Sequence, residues 1–180
     1  MRKLVYTTLV LCMIAASCKD KKEERVLDMN NPFFSKQETP YGVPAFDKIK
    51  TEHYLPAFEE GMLQHKEEIE AIVANKEEPS FENTIEALDY SGELLTTVSL
   101  VFFNMCETNN SDEMIAIADT ISPKLSAHND DINLNPELFK KVKAVYDKRE
   151  SLSLNDEQMR LLEITYKNFV RGGANVPAEK

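Results

Sequence analysis

Three histidines are the most versatile chemical groups in this chain, and their spacing decides what they could do together. His65 and Glu68 stand at i and i+3 in H-K-E-E-I-E, which puts an imidazole and a carboxylate on one helix face where they could share a metal ion. A hydrolytic zinc needs at least three His, Asp, Glu or Cys ligands around one open position, plus a base for the bound water. No third ligand follows from the spacing, and the stretch reads equally as a solvated helix face. Nowhere in the 180 residues is there an H-E-x-x-H pair. His53, in E-H-Y-L-P, is expected to shape the backbone ahead of Pro56. His128, beside Asn129, Asp130 and Asp131, is expected at a polar helix end.

Nucleophilic chemistry is no better supplied. Cys106 follows F-F-N-M near the end of an apolar helix, where a thiol is expected to be buried and inert. No G-x-S-x-G and no phosphate-binding glycine pattern occurs. The acidic pairs Glu67, Glu68 and Glu77, Glu78 read as helix-surface charge, so no general acid and base can be chosen from spacing. No residue is assigned as catalytic or as a metal ligand, and substrate-binding residues are unknown.

The elements that would position these groups are helices. Five Gly and no Trp, against many Glu, Lys, Leu and Ala, favour an all-α domain. The formal charge of −10 repels phosphate backbones, which excludes nucleic acid as a partner. Loss of a leader containing Arg2 and Lys3 leaves 19 basic against 31 acidic residues, or −12.

Such a leader is expected over 1–17. An apolar run at 4–16, which includes Cys12, follows Arg2 and Lys3 and is too short to cross the ~30 Å hydrocarbon core of a bilayer. It closes on Ala15, Ala16, Ser17 and Cys18, which resembles the lipobox of bacterial lipoproteins. In that class Cys18 is lipidated and becomes the first residue, anchoring the protein at the cell envelope on the periplasmic or outer-membrane side. The alternative is an ordinary secretory signal with a chance cysteine at its end, which the charge, length and small-residue pattern together disfavour. With Cys18 acylated, Cys106 would be the remaining free thiol and no intrachain disulfide could form.

Residues 18–31 carry dense mixed charge and read as a solvated tether. Residues 32–50 interleave Pro32, Pro40, Gly42 and Pro44 with Phe33, Phe34, Tyr41, Val43 and Phe46, an extended arm whose aromatics should pack on a helical body. That body, 51–180, divides into five helices. The first spans 51–75, with a separate turn or a kink before Pro56. The second is capped by Ser80, ends at Thr108, Asn109 and Asn110, and shows an apolar surface broad enough for burial on two sides. Gly92 within it permits close helix contact. The third runs over 112–132 with a bend at Pro123, the fourth starts at Asn135 and Pro136 and reaches about 150, and the fifth opens with an Asn155/Gln158 capping box and stops at Gly172 and Gly173.

Several strings occur in an order that carries a family resemblance. They are E-H-Y-L-P-A-F-E-E-G-M (52–62), P-S-F-E-N-T-I (79–85), V-F-F-N (101–104), I-S-P-K-L (121–125), A-H (127–128), L-N (134–135), L-F (138–139) and K-N-F-V-R (167–171). Over about 31–176 the chain resembles the N-terminal part of the thimet oligopeptidase, oligopeptidase A and peptidyl-dipeptidase family of zinc metallopeptidases, and its bacterial peptidyl-dipeptidases most. The resemblance implies an all-helical, two-lobed channel peptidase whose N-terminal helices form part of the wall. It also implies a Zn²⁺ cofactor held by a C-terminal half that this chain does not contain, oligopeptide substrates, and release of C-terminal dipeptides. By this reading the segment alone is inactive. The alternatives are a catalytically inactive peptide-binding lipoprotein and a helical scaffold protein.

Overall fold

The structure, a computed structural model, describes residues 26–35 and 39–175. The expected leader, Cys18 and residues 19–25 lie outside the described residues. Among the described residues there are helices and no strand: α1 (Thr51–Ala74), α2 (Ala87–Tyr90), α3 (Glu93–Thr108), α4 (Asp112–Asn133), α5 (Pro136–Asp147) and α6 (Asp156–Gly172). The all-α expectation is borne out.

Helix ends follow local hydrogen-bonding chemistry. The Ser111 hydroxyl accepts from the Met114 N–H at 3.2 Å, and Asn135 accepts from Glu137 and Leu138 at 3.1 and 3.0 Å. Asn155 and Gln158 exchange reciprocal bonds of 2.9 and 3.0 Å, and Gly173 leaves α6 in the left-handed region at φ 96°. The fourth helix stops at Asp147, and one tighter turn, Arg149–Ser151, completes it.

Two prolines lie inside continuous helices. Of the two outcomes expected at Pro56, a separate first turn or a kink, the separate turn does not occur: α1 is unbroken from Thr51. The reason is burial: Tyr54 packs on Phe33 and Phe102, with ring centroids 5.7 and 5.0 Å away, which holds the first turn in register with the body. Pro123 likewise sits within α4 on its exposed side, where water can serve the carbonyl that loses its partner, while the neighbouring Ile121 is fully buried.

The second expected helix is divided. Ser80 caps a wide π-type turn, Phe81–Glu86, that leads into α2; the chain then extends at Ser91 and turns sharply at Gly92, φ 74°, to start α3. A side chain at Gly92 would meet the His65 ring at 2.9 Å, so backbone and imidazole are in direct contact. The broad apolar surface is only partly covered. Leu95, Val98, Val101 and Phe102 are buried, whereas Leu100 is 69% and Phe103 39% exposed.

Two cores result, and α1 belongs to both. Its first half, with Tyr54, Ala57 and Phe58, packs against α3, Met114 and Ile121 of α4, and Phe33. Its last turns, through Ile69 and Ile72, join Phe81, Ile85 and the inner faces of α5 and α6. The arm contributes less than expected: Phe33 and Phe34 pack on the body, but Tyr41, Val43 and Phe46 are exposed, Tyr41 having been turned outward at φ 60° between Pro40 and Gly42. The expected tether also ends before 31, because Asn31 is buried, accepts from the Phe33 N–H and donates to the His53 carbonyl at 2.9 Å.

Two glycine substitutions should have opposite signs. A Cβ at Gly61 would lie 3.0 Å from the Leu95 backbone, so Gly61→Ala is expected to lower stability by about 1–3 kcal/mol despite alanine's helix preference. At Gly172 the new Cβ would touch only the Asn133 Cβ at 3.6 Å, so Gly172→Ala should be neutral or stabilising by up to ~1 kcal/mol. Urea unfolding of both variants is the check, and losses of equal size would sink this account of the α1–α3 approach.

Candidate functional site

The midpoint of α1 is where the two cores meet, and the residues there are polar. His65 follows Phe58, Gly61 and Met62 on the inward face of α1 and precedes Ile69. His128 follows Ile121 and Leu125 on the inward face of α4 and precedes Ile132. Both imidazoles therefore turn inward, half-buried, and His128 Nε2 lies 3.0 Å from His65 Nδ1. The expectation that His128 marks a polar helix end is corrected: α4 continues to Asn133, and the ring occupies a core-facing position.

The remaining contacts set the direction of every proton. Ser91 Oγ donates its single hydrogen to the Leu88 carbonyl at 2.7 Å. It can then only accept from His65 Nε2, 3.2 Å away, which leaves His65 Nδ1 as a lone-pair acceptor for the His128 Nε2–H. The chain of donation runs from His128 through His65 and Ser91 to the α2 backbone.

Glu68 is engaged elsewhere. Its Oε2 accepts the Gly92 N–H at 2.7 Å, fixing the start of α3 against α1. Thus the i, i+3 pair His65 and Glu68 lies at one site, but each side chain serves a different partner. Among the described residues no group of three His, Cys, Asp or Glu side chains is arranged to hold a metal ion.

Burial holds both imidazoles below the ordinary histidine range. For His65 the approach of His128 adds to this and Glu68 opposes it; for His128, Asp131 opposes it and Lys66 adds to it. Beside the pair a polar hollow of about 300 Å³ lies between α2, α4 and α6, lined by His65, Ser91, Asn129, Asn133, Thr165 and Asn168 among others. It offers hydroxyl and amide groups that can both donate and accept.

The other sequence candidates lie apart from this site. His53 Nδ1 accepts the Lys50 N–H at 3.0 Å and so shapes the start of α1. A larger hollow of about 760 Å³ beside it is bounded by the arm and by Lys48, Lys50 and Glu52, of which both lysines and Glu52 face solvent. Cys106 is half-buried on α3 against the first core, and burial followed by Glu107 pushes its thiol up, away from the reactive thiolate. The periodicity of α1 and α4 was the signal for the His pair, since 58, 62, 65, 69 and 121, 125, 128, 132 are each one helix stripe.

Comparison with known proteins turns on sequence. No protein-family model matches the chain. It is 47% identical over 146 residues to the dipeptidyl carboxypeptidase of Escherichia coli (strain K12), a match covering 81% of this chain and 21% of that protein. It is 44% identical over 149 residues to the dipeptidyl carboxypeptidase of Salmonella typhimurium (strain LT2), covering 83% of this chain and 22% of that protein.

This chain is a relative of the bacterial dipeptidyl carboxypeptidases.

The likeness expected from the motif strings is borne out. The chain spans about a fifth of the length of these carboxypeptidases.

Removing the Ser91 hydroxyl tests the donation chain directly. Ser91→Ala leaves the half-buried His65 Nε2–H without its acceptor and is expected to destabilise the chain by about 1 kcal/mol, with Ser91→Thr restoring most of the loss. Guanidinium unfolding midpoints give the answer, and an unchanged midpoint for the alanine variant would remove Ser91 from the chain.

Proposed function

We propose that this chain supplies channel-wall helices of a longer metallopeptidase that hydrolyses oligopeptides and releases C-terminal dipeptides. The observation that carries the reading is 47% identity, over four-fifths of this chain, to a protein named dipeptidyl carboxypeptidase that is about five times the matched length. Helices without a convergent set of ligands among the described residues suit a wall better than a reaction centre. The donor set here does not fit the catalytic zinc implied by the family, because the His65 and His128 nitrogens bond each other and Glu68 bonds backbone. The metal, the activated water and the remaining peptidase half belong to other residues on this reading. Leu100 and Phe103, exposed on α3, are apolar surface that further helices would cover.

The segment itself should be inert. Purified 180-residue chain is expected to bind no stoichiometric zinc by elemental analysis and to release no dipeptide from an oligopeptide. Turnover by this chain that a chelator abolishes would overturn the division of labour. Reading the source DNA in frame past Lys180 for H-E-x-x-H and a downstream glutamate tests the longer enzyme; a stop codon there favours the peptide-binding or scaffold alternative.

The reading also places the enzyme at the cell envelope through a lipid on Cys18. Labelled palmitate should be incorporated into the wild-type chain and not into Cys18→Ser, while equal labelling of both would remove the anchor.

A further inference from the structure

We propose that His65 and His128 form a proton-controlled latch between α1 and α4, closed when the pair carries no added proton or one, and opened when both imidazoles are charged. The inference rests on the geometry of the junction and is independent of the peptidase reading.

The argument begins with the bond directions. In the neutral pair His128 donates Nε2–H to His65 Nδ1, and His65 donates Nε2–H to Ser91, whose hydrogen goes to Leu88. A first added proton enters at His128 Nδ1 and disturbs none of these bonds. It turns the His128 donor into a charged one, which strengthens the contact. The second proton has only one destination, His65 Nδ1, and that lone pair already accepts the His128 N–H. Taking it breaks the bond and sets two N–H groups of two cations face to face across 3.0 Å, with ring centroids 5.0 Å apart.

The surrounding charges relieve this only in part. Glu68 on α1 faces His65 and favours a charge on it, while its Oε2 also accepts the Gly92 N–H. Asp131 on α4 favours a charge on His128 and Lys66 on α1 opposes it. From α2, Asp89 borders the hollow beside His65; from α6 the nearest polar groups there are Thr165 and Asn168, which carry no charge; at the start of α3 the backbone of Gly92 lies against the ring. Both imidazoles are held below their ordinary range, by burial first in each case.

The fold gives the latch something to move. Pro123 interrupts the hydrogen-bond ladder of α4 five residues before His128, on the exposed side. The half of α4 before it is seated by Met114 and Ile121 in the first core, whereas the half after it is held by Leu125 against the first core, Ile132 against the second, and an exposed Lys124–Glu59 pair to α1. Opening the pair removes the polar tie in the middle of that second half, so that it loosens at the proline beside the hollow that Asn129 and Asn133 line.

The sign of the pH dependence follows. Unfolded histidine titrates near 6.5, and the folded pair does so lower. Above about 6.5 the contribution of the pair is complete; as the pH falls below it, the unfolded chain binds protons that the fold refuses, and stability drops until the folded pair is itself charged.

The test is nitrogen-detected NMR of the imidazoles in the full 180-residue chain, together with thermal unfolding between pH 8 and 5. At pH 8 both rings should be protonated at Nε2 alone. On acidification His128 should titrate first and His65 in a separate, lower step that coincides with loss of melting temperature. In His128→Gln the amide keeps a donor for His65 Nδ1 without a charge, so the His65 step should rise and the melting loss become shallower. An Nδ1–H tautomer at His65, two rings that titrate independently in the ordinary range, or an unmoved His65 step in the variant each overturns the latch. Should His128→Gln fail to fold, the wild-type tautomers and the order of the two steps decide alone.

Discussion

α1 is shared by two hydrophobic cores, and the rest of the molecule is arranged around that constraint. At 24 residues the helix is about 36 Å long, more than one compact cluster of this size can cover. Its first half is therefore buried by α3 and the start of α4, and its last turns by α5, α6 and the π-type turn at Phe81. Each fully buried side chain such as Phe58 contributes about 1.5–3 kcal/mol, which is why the helix survives a proline at its sixth position. The close approach of α3 depends on one missing side chain, at Gly61.

Where the two cores abut, the chain places hydrogen bonds instead of hydrocarbon. His65, Ser91, Glu68 and His128 tie α1 to α2, α3 and α4 through bonds of 2.7 to 3.2 Å. Each such bond adds only about 0.5–1.5 kcal/mol, yet leaving one unmade at a half-buried site would cost more than making it contributes. No buried side-chain nitrogen or oxygen lacks a partner among the described residues. A junction built this way holds its geometry by direction, because an imidazole bonded at both nitrogens has no rotational freedom left. It also makes the junction answer to protons, which a wholly apolar seam would not.

The same layout accounts for the absence, among the described residues, of three side chains arranged to hold a metal ion. The two inward histidines are spent on holding helices together, and the acidic surface is dispersed over solvated faces where ion pairs such as Lys124 with Glu59 contribute little. What remains is a helical surface with a hollow of mixed lining between α2, α4 and α6, and exposed apolar side chains at Leu100 and Phe103.

Local rules were enough for the helix ends. Ser80, Ser111, Asn135 and Asn155 cap where their short polar side chains stand before apolar stripes, and Gly173 stops α6 because only glycine takes the left-handed region without strain. The all-helical class and the kinship with the carboxypeptidases were equally legible, the one from periodicity and the other from strings such as E-H-Y-L-P and P-S-F-E-N-T-I. Local rules failed at Pro56, at Gly92 and at His128. A proline's lost hydrogen bond can be outweighed by Tyr54 burying itself against Phe33 and Phe102, residues 21 and 48 positions away, which no window along α1 reveals. Gly92 makes the close contact with α1 that was expected of it, against the His65 ring, but at a break between α2 and α3 where Glu68 accepts its N–H and not within one helix. The sequence by itself determined which stretches coil and which faces turn inward. Only tertiary structure decided that two of those inward faces bring histidines 63 residues apart within 3.0 Å, because a helix stripe specifies direction and not the neighbour it will meet.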